Sequence, residues 1–312
     1  MNVFLWHVHG SWTTAFVHGG HQYFVPVLPG RGPDGRGRAQ TWDWPTSVIE
    51  VDPLAARDLD VDLVVLQRPV ELQHLAATWL GGREPGRDLP AVYVEHNAPT
   101  GPAAASRHPL AERDDVPVVH VTHFNELMWD NGTAPTLVIE HGIVDPGSHY
   151  TGDLARAAAV INEPVRRTRV AGTDLLARFE TVAPVDLFGI GAGGLGGYDD
   201  LPQEKLHQEL ARRRVYIHPF RWTSLGLTLL EAMALGMPVV AVASTAAIDA
   251  VPANGGVLST DVGVLVDAVA EFVADPDVAY EAGSRARAHV LRRYGLARFL
   301  DDWDGLIAEV TA

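Results

Sequence analysis

Short runs of consecutive apolar residues, separated by stretches with helical periodicity, constrain the fold of this chain more than any other feature. Such runs occupy Ala91–Glu95, Val116–Val121 and Val239–Ala243, while Pro202–Arg212 and Leu225–Leu235 are predicted helices. A strand that is apolar on both faces is typical of a parallel sheet covered by helices on each side. The sequence therefore predicts an α/β fold built from βαβ units.

The pattern of strands and helices occurs twice, which predicts two domains. Glycine and proline residues cluster at 141–152, as is typical of a loop between domains. We expect domains over 1–147 and 148–294, followed by a segment, 295–312, with a helix over Ala297–Val310. The other predicted strands are Asn2–His9, Gln22–Leu28, Asp62–Leu66, Thr136–Ile139, Ala157–Ile161, Pro184–Phe188 and Val215–His218.

Composition limits the classes of function. The chain has no cysteine, which excludes disulfides and thiolate metal sites. Its net charge is −15 at pH 7, so neither nucleic acid nor stable membrane association is expected. No apolar run is long enough for a membrane helix. We therefore expect a cytoplasmic protein with small ligands, and the oligomeric state stays open. Because Lys205 is the one lysine, an anion site would depend on arginine, histidine or backbone N–H groups.

The segment His218–Ala241 combines a predicted helix with two polar features. Ser224 is a typical N-cap residue. The turn that follows it, Leu225–Leu227, offers unpaired N–H groups and a positive dipole end, which suit a diphosphate. Glu231 borders the apolar face of the helix, where a carboxylate needs a partner or solvent. Gly236 is predicted to end the helix.

This segment resembles the signature of retaining GT-B glycosyltransferases of family 4, in which two glutamates separated by seven residues precede Ala-Met-Ala and Gly-x-Pro-Val-Val. The matching residues are Gly226-Leu227, Glu231-Ala232-Met233-Ala234 and Gly236-Met237-Pro238-Val239-Val240. The resemblance implies that Glu231 binds the ribose hydroxyls of a nucleotide. It also implies that the helix start binds the diphosphate; this start comprises Ser224, Leu225, Gly226 and Leu227.

Several positions depart from the family pattern, among them Ser224, which replaces a glycine. Thr223 stands where the first glutamate contacts the donor sugar, and Ala171 stands where a lysine contacts the diphosphate. A threonine carries no charge, so either the donor sugar differs, or other groups bind it, or catalysis is lost. We expect Arg166, Arg169 or Arg221 to bind the diphosphate, since a guanidinium forms bidentate contacts with phosphate. A solvated basic turn is the alternative.

The resemblance extends more weakly to the first domain. His96 follows the predicted strand Ala91–Glu95, where similar proteins place a histidine that faces the donor sugar, and we predict this catalytic role for it. The alternative is a structural histidine at the strand end. Gly10 and Ser11 follow the first strand, where the family has a glycine-containing loop near the phosphates and the acceptor. His141 replaces an asparagine of the family's interdomain segment.

Two other patterns are not predicted to be sites. Gly189–Gly194 satisfies GxGxxG after a strand, but no helix and no suitably placed acidic residue follow, so we reject a dinucleotide site in favour of a loop. His7, His9, His18 and His21 lack the spacing of known metal motifs. Enzymes of the resembled family typically need no bound metal, so none is expected.

We therefore predict a GT-B fold, with two Rossmann-like parallel-sheet domains that face a cleft and a final helix that crosses back to the first domain. The expected activity is retaining, metal-independent transfer of a sugar from a nucleoside-diphosphate sugar, as co-substrate, to a soluble small-molecule acceptor bound by the first domain. No other cofactor is expected. Two alternatives stay open: a non-catalytic nucleotide-sugar-binding protein, which Thr223 and Ala171 favour, and a GT-B nucleotide-sugar epimerase.

Overall fold

A computed structural model describes the backbone of residues 1–312 and every side chain except that of Ala104. The chain divides into two compact units, the first formed by 1–142 with 296–312 and the second by 143–295. Each unit is built on one parallel β-sheet. The α/β class predicted from the apolar runs is therefore confirmed.

The strands of the first unit are β1 (Asn2–Leu5), β2 (Gln22–Pro26), β3 (Val48–Val51), β4 (Leu63–Leu66), β5 (Ala91–Glu95), β6 (Val118–His120) and β7 (Thr136–Val138). They pair in parallel in the order β3-β2-β1-β4-β5-β6-β7. The chain moves outward from β1 to β3 and then returns to β4 on the other side of β1. Ligands of doubly wound sheets bind at the carboxyl ends of the strands where the direction reverses.

The strands of the second unit are β8 (Leu154–Val160), β9 (Val185–Phe188), β10 (Arg213–His218), β11 (Val239–Val242) and β12 (Gly256–Ser259). They pair in parallel in the order β12-β11-β10-β8-β9. Here the direction reverses between β8 and β10. The segments that follow these two strands are therefore the expected place for a ligand.

Helices cover both sheets. The α-helices of the described chain are α1 (Gly10–Phe16), α2 (Pro53–Arg57), α3 (Ala76–Trp79), α4 (His123–Met128), α5 (Thr168–Ala171), α6 (Leu176–Phe179), α7 (Gln203–Arg212), α8 (Leu227–Leu235), α9 (Ala247–Ala250), α10 (Val262–Ala274), α11 (Pro276–Tyr294) and α12 (Leu296–Val310). A π-helical turn, Glu71–Leu75, precedes α3, and a 3-10 turn, Thr173–Leu175, precedes α6. Among the described residues, no helix combines the length and the apolar character needed to cross a bilayer.

The last helix, α12, belongs to the first unit. Its buried face carries Phe299 and Trp303. Trp303 packs edge-to-face against Trp12 and Phe16 of α1, with ring centroids 5.7 and 4.9 Å apart. Aromatic pairs of this kind add roughly 0.5–1.5 kcal/mol beyond the area they bury. Helices α1 and α12 thus pack together in the core of the first unit.

Neither β3 nor β12 is predicted from the sequence, and both are edge strands. An edge strand is less buried, so it need not be continuously apolar. The strand β3 contains Glu50, and every residue of β12 is only partly buried. The strand predicted over Asn2–His9 ends at Leu5, and α1 begins at Gly10. The prediction that Gly10 and Ser11 form a loop is therefore wrong, because both lie in the first turn of a helix.

Candidate active site

The start of α8 lies at the carboxyl edge of the second sheet, directly after β10. The helix begins at Leu227, with the extended residue Gly226 as its N-cap. The prediction that Ser224 is the N-cap is therefore wrong. A Cβ on Gly226 would lie 2.5 Å from Cε1 of His218, so the chain needs glycine and an extended backbone to pass this ring. The helix ends at Gly236, which is left-handed (φ 95°), as predicted.

Two buried polar atoms near this helix start have no hydrogen-bond partner in the described part of the chain. They are Oγ of Ser224 and Nδ1 of His218, whose residues are 4% and 1% exposed. Burial lowers the pKa of His218 to about 3, so its imidazole is neutral. Leaving a buried polar group unpaired costs about 1–3 kcal/mol. Two such atoms near uncapped helix N–H groups are typical of a site that a ligand completes.

The loop between β10 and α8 is held by the segment that contains α5. The backbone N–H groups of Arg221 and Trp222 donate to the carbonyl of Val170 at 2.9 and 3.3 Å. Gly172 is left-handed (φ 74°), and a Cβ there would clash with the carbonyl of Pro219. The arginine-rich stretch before α6 is therefore held against the loop between β10 and α8.

The three predicted diphosphate-binding arginines pair with nearby carboxylates. Arg166 forms an ion pair with Glu163. Arg221 donates two hydrogen bonds to Asp174, at 2.6 and 2.9 Å, and Arg169 lies 3.4 Å from the same carboxylate. These hydrogen bonds lower the pKa of Glu163 and of Asp174. Solvent-exposed ion pairs contribute only about 0–1 kcal/mol, so an anion would compete for these guanidinium groups at little cost.

Arg167 is a candidate that the sequence pattern does not single out. Its guanidinium lies 5.7 Å from the ring centroid of Phe220, in the loop that leads to α8. Arg167 forms no ion pair within the described residues, unlike its neighbour Arg166. Half-burial lowers its pKa, yet an arginine stays charged in proteins. Three arginines occur between Val165 and Val170, and only the tertiary structure distinguishes the one that lies over an aromatic ring.

Glu231 lies on the buried face of α8 and is 4% exposed. Its Oε2 accepts a hydrogen bond of 3.0 Å from Nε2 of Gln203, in α7. Nε2 of His207 lies 3.5 Å from the same oxygen. Of the two states expected for this carboxylate, paired or solvated, the protein adopts the paired one. Thr223, at the place of the missing first glutamate, is half-buried, and Leu225 is buried.

In the first unit, His96 follows β5 and lies beside Gln67, which follows β4. Nε2 of Gln67 donates to the carbonyl of Trp6 at 2.7 Å, which orients Oε1 of the same amide toward His96. Nε2 of His96 lies 3.0 Å from this oxygen and must carry a proton, because an amide oxygen only accepts. Burial lowers the pKa of His96 well below its ordinary value. The ring is therefore neutral, with Nδ1 as a hydrogen-bond acceptor.

Two further histidines join His96 at this edge of the sheet. The ring of His9 lies 4.0 Å from that of His96, centroid to centroid. Burial lowers the pKa of His9 to about 4 and that of His141 to about 3. Nδ1 of His141 is buried and has no partner among the described residues. Gly10 and Ser11, at the start of α1, follow His9 directly.

The described residues contain no group of three or more His, Asp or Glu side chains arranged to hold a metal ion. The GxGxxG segment, Gly189–Gly194, runs into a short 3-10 turn, Ala192–Leu195, and not into an α-helix. A dinucleotide site places an α-helix directly after the strand. The segment is therefore a loop, as predicted.

Comparison with known proteins gives one family match and many structural ones. Residues 197–289 match the family model described as Glycosyl transferases group 1. This range contains α8 and Glu231, whereas Arg166 and His96 lie outside it. No curated protein sequence matches the chain.

Several solved structures share the fold over the whole chain. Sucrose-phosphate synthase from Thermosynechococcus elongatus is 16% identical, with a TM-score of 0.70 and 99% of each chain covered. HepE from Anabaena, in complex with UDP-glucose, is 14% identical, with a TM-score of 0.69 and with 99% of this chain and 100% of that one covered. A glycosyltransferase from Rickettsia africae is 12% identical, with a TM-score of 0.63, and covers 99% and 98%.

Two Rossmann-like units with parallel sheets, matched over their full length to these structures, define the GT-B fold. The predicted fold class is therefore confirmed. The family match over part of the second unit, together with this fold, supports a glycosyltransferase.

Proposed function

We propose that the protein is a retaining glycosyltransferase that transfers a sugar from a nucleoside-diphosphate sugar to a small soluble acceptor without a bound metal. The observation that carries this proposal is the start of α8, with its uncapped N–H groups and the unpartnered atoms of Ser224 and His218. A helix start of this kind favours a bound anion. HepE, which shares the fold, was solved with UDP-glucose, and this supports a donor of the same class. A cytoplasmic location stays a prediction from composition.

The donor would bind the second unit through three kinds of group. Glu231 accepts hydrogen bonds from the ribose hydroxyls. Gly226 and Leu227 donate backbone N–H groups to the diphosphate, and the hydroxyl of Ser224 donates alongside them. The guanidinium groups that balance the charge of the diphosphate come from Arg166, Arg167, Arg169 and Arg221.

In the proposed reaction, the bond between the anomeric carbon and the diphosphate oxygen breaks, and the electron pair stays on that oxygen. The acceptor hydroxyl oxygen bonds to the anomeric carbon on the same face, and its proton passes to the departing phosphate. Backbone N–H and guanidinium groups stabilise the negative charge that develops on the diphosphate. Nδ1 of His96 accepts a hydrogen bond from a hydroxyl of the donor sugar, and Thr223 contributes a neutral contact where the family has a carboxylate.

A second candidate is a nucleotide-sugar-binding protein without catalytic activity. Two observations favour it: Thr223 carries no charge, and Ala171, at the place of the expected lysine, is fully buried. Slow hydrolysis of the donor in the absence of an acceptor distinguishes the two candidates. A transferase releases nucleoside diphosphate over hours, and a binding protein releases none.

The experiment that tests donor binding is a thermal-shift screen with UDP, GDP, ADP, dTDP and their common sugar conjugates. A ligand at 100 times its dissociation constant stabilises the protein by about 2.7 kcal/mol, so one nucleotide should raise the melting temperature of the wild type. Glu231→Ala should lose this response. Glu271→Ala, which removes an exposed carboxylate of α10 in the same unit, should keep it. A wild type that responds to no nucleotide contradicts the proposal.

A further inference from the structure

The α7 helix presents two polar side chains to the proposed ribose carboxylate. Gln203 and His207 are four residues apart, which places them on one face of the helix. This face lies beside Glu231 of α8. Both side chains are partly buried. A cluster of an amide, an imidazole and a carboxylate therefore links the two helices.

The distances assign a direction to each hydrogen bond in this cluster. Nε2 of Gln203 lies 3.0 Å from Oε2 of Glu231 and 2.6 Å from Nε2 of His207. An amide nitrogen has two protons to donate and accepts none, whereas a carboxylate oxygen only accepts. Gln203 therefore donates one proton to the carboxylate and the other to the imidazole. His207 accepts at Nε2, so the ring nitrogen that carries a proton is Nδ1.

This arrangement holds the carboxylate with a neutral donor. Glu231 lies among buried apolar residues of α8, where a charge needs a donor close by. A guanidinium at the position of Gln203 would form a strong ion pair and compete with the hydroxyls of a ligand. A neutral amide gives one hydrogen bond and adds no charge beside the carboxylate. His207 in turn holds the amide, because it accepts the second proton.

We propose that Gln203, held by His207, is a positioning residue that orients Glu231 for recognition of the ribose hydroxyls. This inference rests on the proposed function of Glu231. It predicts a specific defect: without Gln203, the protein binds nucleotides but discriminates less well between ribose and 2′-deoxyribose. A residue with only a structural role would weaken the binding of both sugars alike.

The test compares dissociation constants by isothermal titration calorimetry for UDP, GDP and ADP and their 2′-deoxy counterparts. The wild type should prefer the ribonucleotide that it binds by about tenfold or more, because a hydrogen bond to a charged group is lost with the 2′-hydroxyl. Gln203→Met keeps the side-chain volume and removes both N–H donors. It should reduce this preference to about threefold or less, because affinity for the ribonucleotide falls more than affinity for the 2′-deoxynucleotide, which keeps only the 3′-hydroxyl.

Two further variants keep the test decisive. Gln203→Asn retains an amide but shortens its reach by one methylene group, so it should lose the preference even if the methionine variant folds poorly. Gln208→Met changes an exposed glutamine of the same helix, bonded only to Glu204 among the described residues, and should behave like the wild type. Melting temperatures confirm that the variants are folded.

The outcomes separate the inference from the proposed function. If the wild type binds none of the three ribonucleotides, the proposed function fails. If it binds one and Glu231→Ala abolishes the ribose preference while Gln203→Met and Gln203→Asn keep it, the inference about Gln203 is wrong. An equal loss of affinity for both sugars in the Gln203 variants also overturns it, since that result indicates a structural role.

Discussion

The two sheets present different chemistry at their carboxyl edges. The first edge gathers the neutral imidazoles of His9, His96 and His141, whose pKa values are lowered by burial. The second edge presents the start of α8 and guanidinium groups such as that of Arg167. Two parallel sheets therefore differ in chemistry, with neutral hydrogen-bonding groups at the carboxyl edge of the first and positive potential at that of the second.

The difference arises from the few residues that follow each strand. A parallel sheet brings its strand ends to one edge, and the loops there determine the chemistry while the sheet beneath stays the same. Under the proposed function, the neutral edge suits hydroxyl groups of sugars and the cationic edge suits a diphosphate. Four predictions test whether the two edges are separate in this way.

The largest effect is expected from Trp303→Ala. Truncation of a buried tryptophan costs about 3–5 kcal/mol, so the free energy of unfolding of the first unit should fall by this amount in urea titrations. The nucleotide affinity of the folded protein, measured by calorimetry, should not change, because Glu231 and α8 lie in the other unit. Leu127→Ala, which changes an exposed side chain of the first unit, is the control. Loss of nucleotide binding in folded Trp303→Ala would contradict the claim that the two edges are separate.

Gly172→Ala should both destabilise the second unit and weaken nucleotide binding. The substitution forces a Cβ into a left-handed residue and against the carbonyl of Pro219, at a cost of about 1–3 kcal/mol. Gly196→Ala is the matched control, because Gly196 is also left-handed (φ 77°) but has open space around it. The two substitutions are compared by urea titration and by calorimetry. Equal effects would show that the contact between Gly172 and Pro219 does not fix the loops at the carboxyl edge of the second sheet.

Stability should fall as the pH drops from about 6.5 to 5, because the unfolded chain protonates histidines that stay neutral in the folded protein. Each such histidine contributes a slope of up to about 1.4 kcal/mol per pH unit. The pKa of His141 in the folded protein is about 3, so His141→Gln should reduce the slope of unfolding free energy against pH by nearly this amount. His123→Gln, at an exposed position, should leave the slope closer to that of the wild type. An unchanged slope in His141→Gln would show that the folded protein does not keep the imidazole of His141 neutral.

The smallest effect is expected from Arg166→Ala. Loss of one guanidinium contact should weaken nucleoside diphosphate binding about tenfold and should leave binding of the free nucleoside unchanged. Arg285→Ala removes an arginine with a similar exposed partner, Glu281, and is the control. Calorimetry with UDP and uridine, or with the nucleotide pair that binds, measures both affinities. Equal losses for nucleotide and nucleoside would contradict a phosphate contact.

Interior strands and long helices were predictable, whereas two of the four edge strands, β3 and β12, were not. The strand Ala91–Glu95 has the bounds expected from its apolar run, because burial on both faces leaves a clear pattern. The short strand Val48–Val51 carries a mixed pattern, and its pairing with β2 alone makes it a strand. The hydrophobic pattern of a strand reflects the burial of its side chains, so the pattern is less clear in a strand that is only partly buried.

Local sequence patterns were sufficient to predict the α/β class, the repeated strand–helix pattern and the helix that carries Glu231 and ends at Gly236. These features depend on periodicity and on the preferences of neighbouring residues, which are local properties of the chain.

The assembly of the candidate site, in contrast, depends on contacts that form only in the folded chain. The N-cap falls at Gly226 and not at Ser224, at a position where a Cβ would lie 2.5 Å from the ring of His218. Glu231 is paired because a separate helix brings Gln203 to it. Such contacts join residues that are distant along the chain, and the energy of each depends on burial and geometry that no local pattern records.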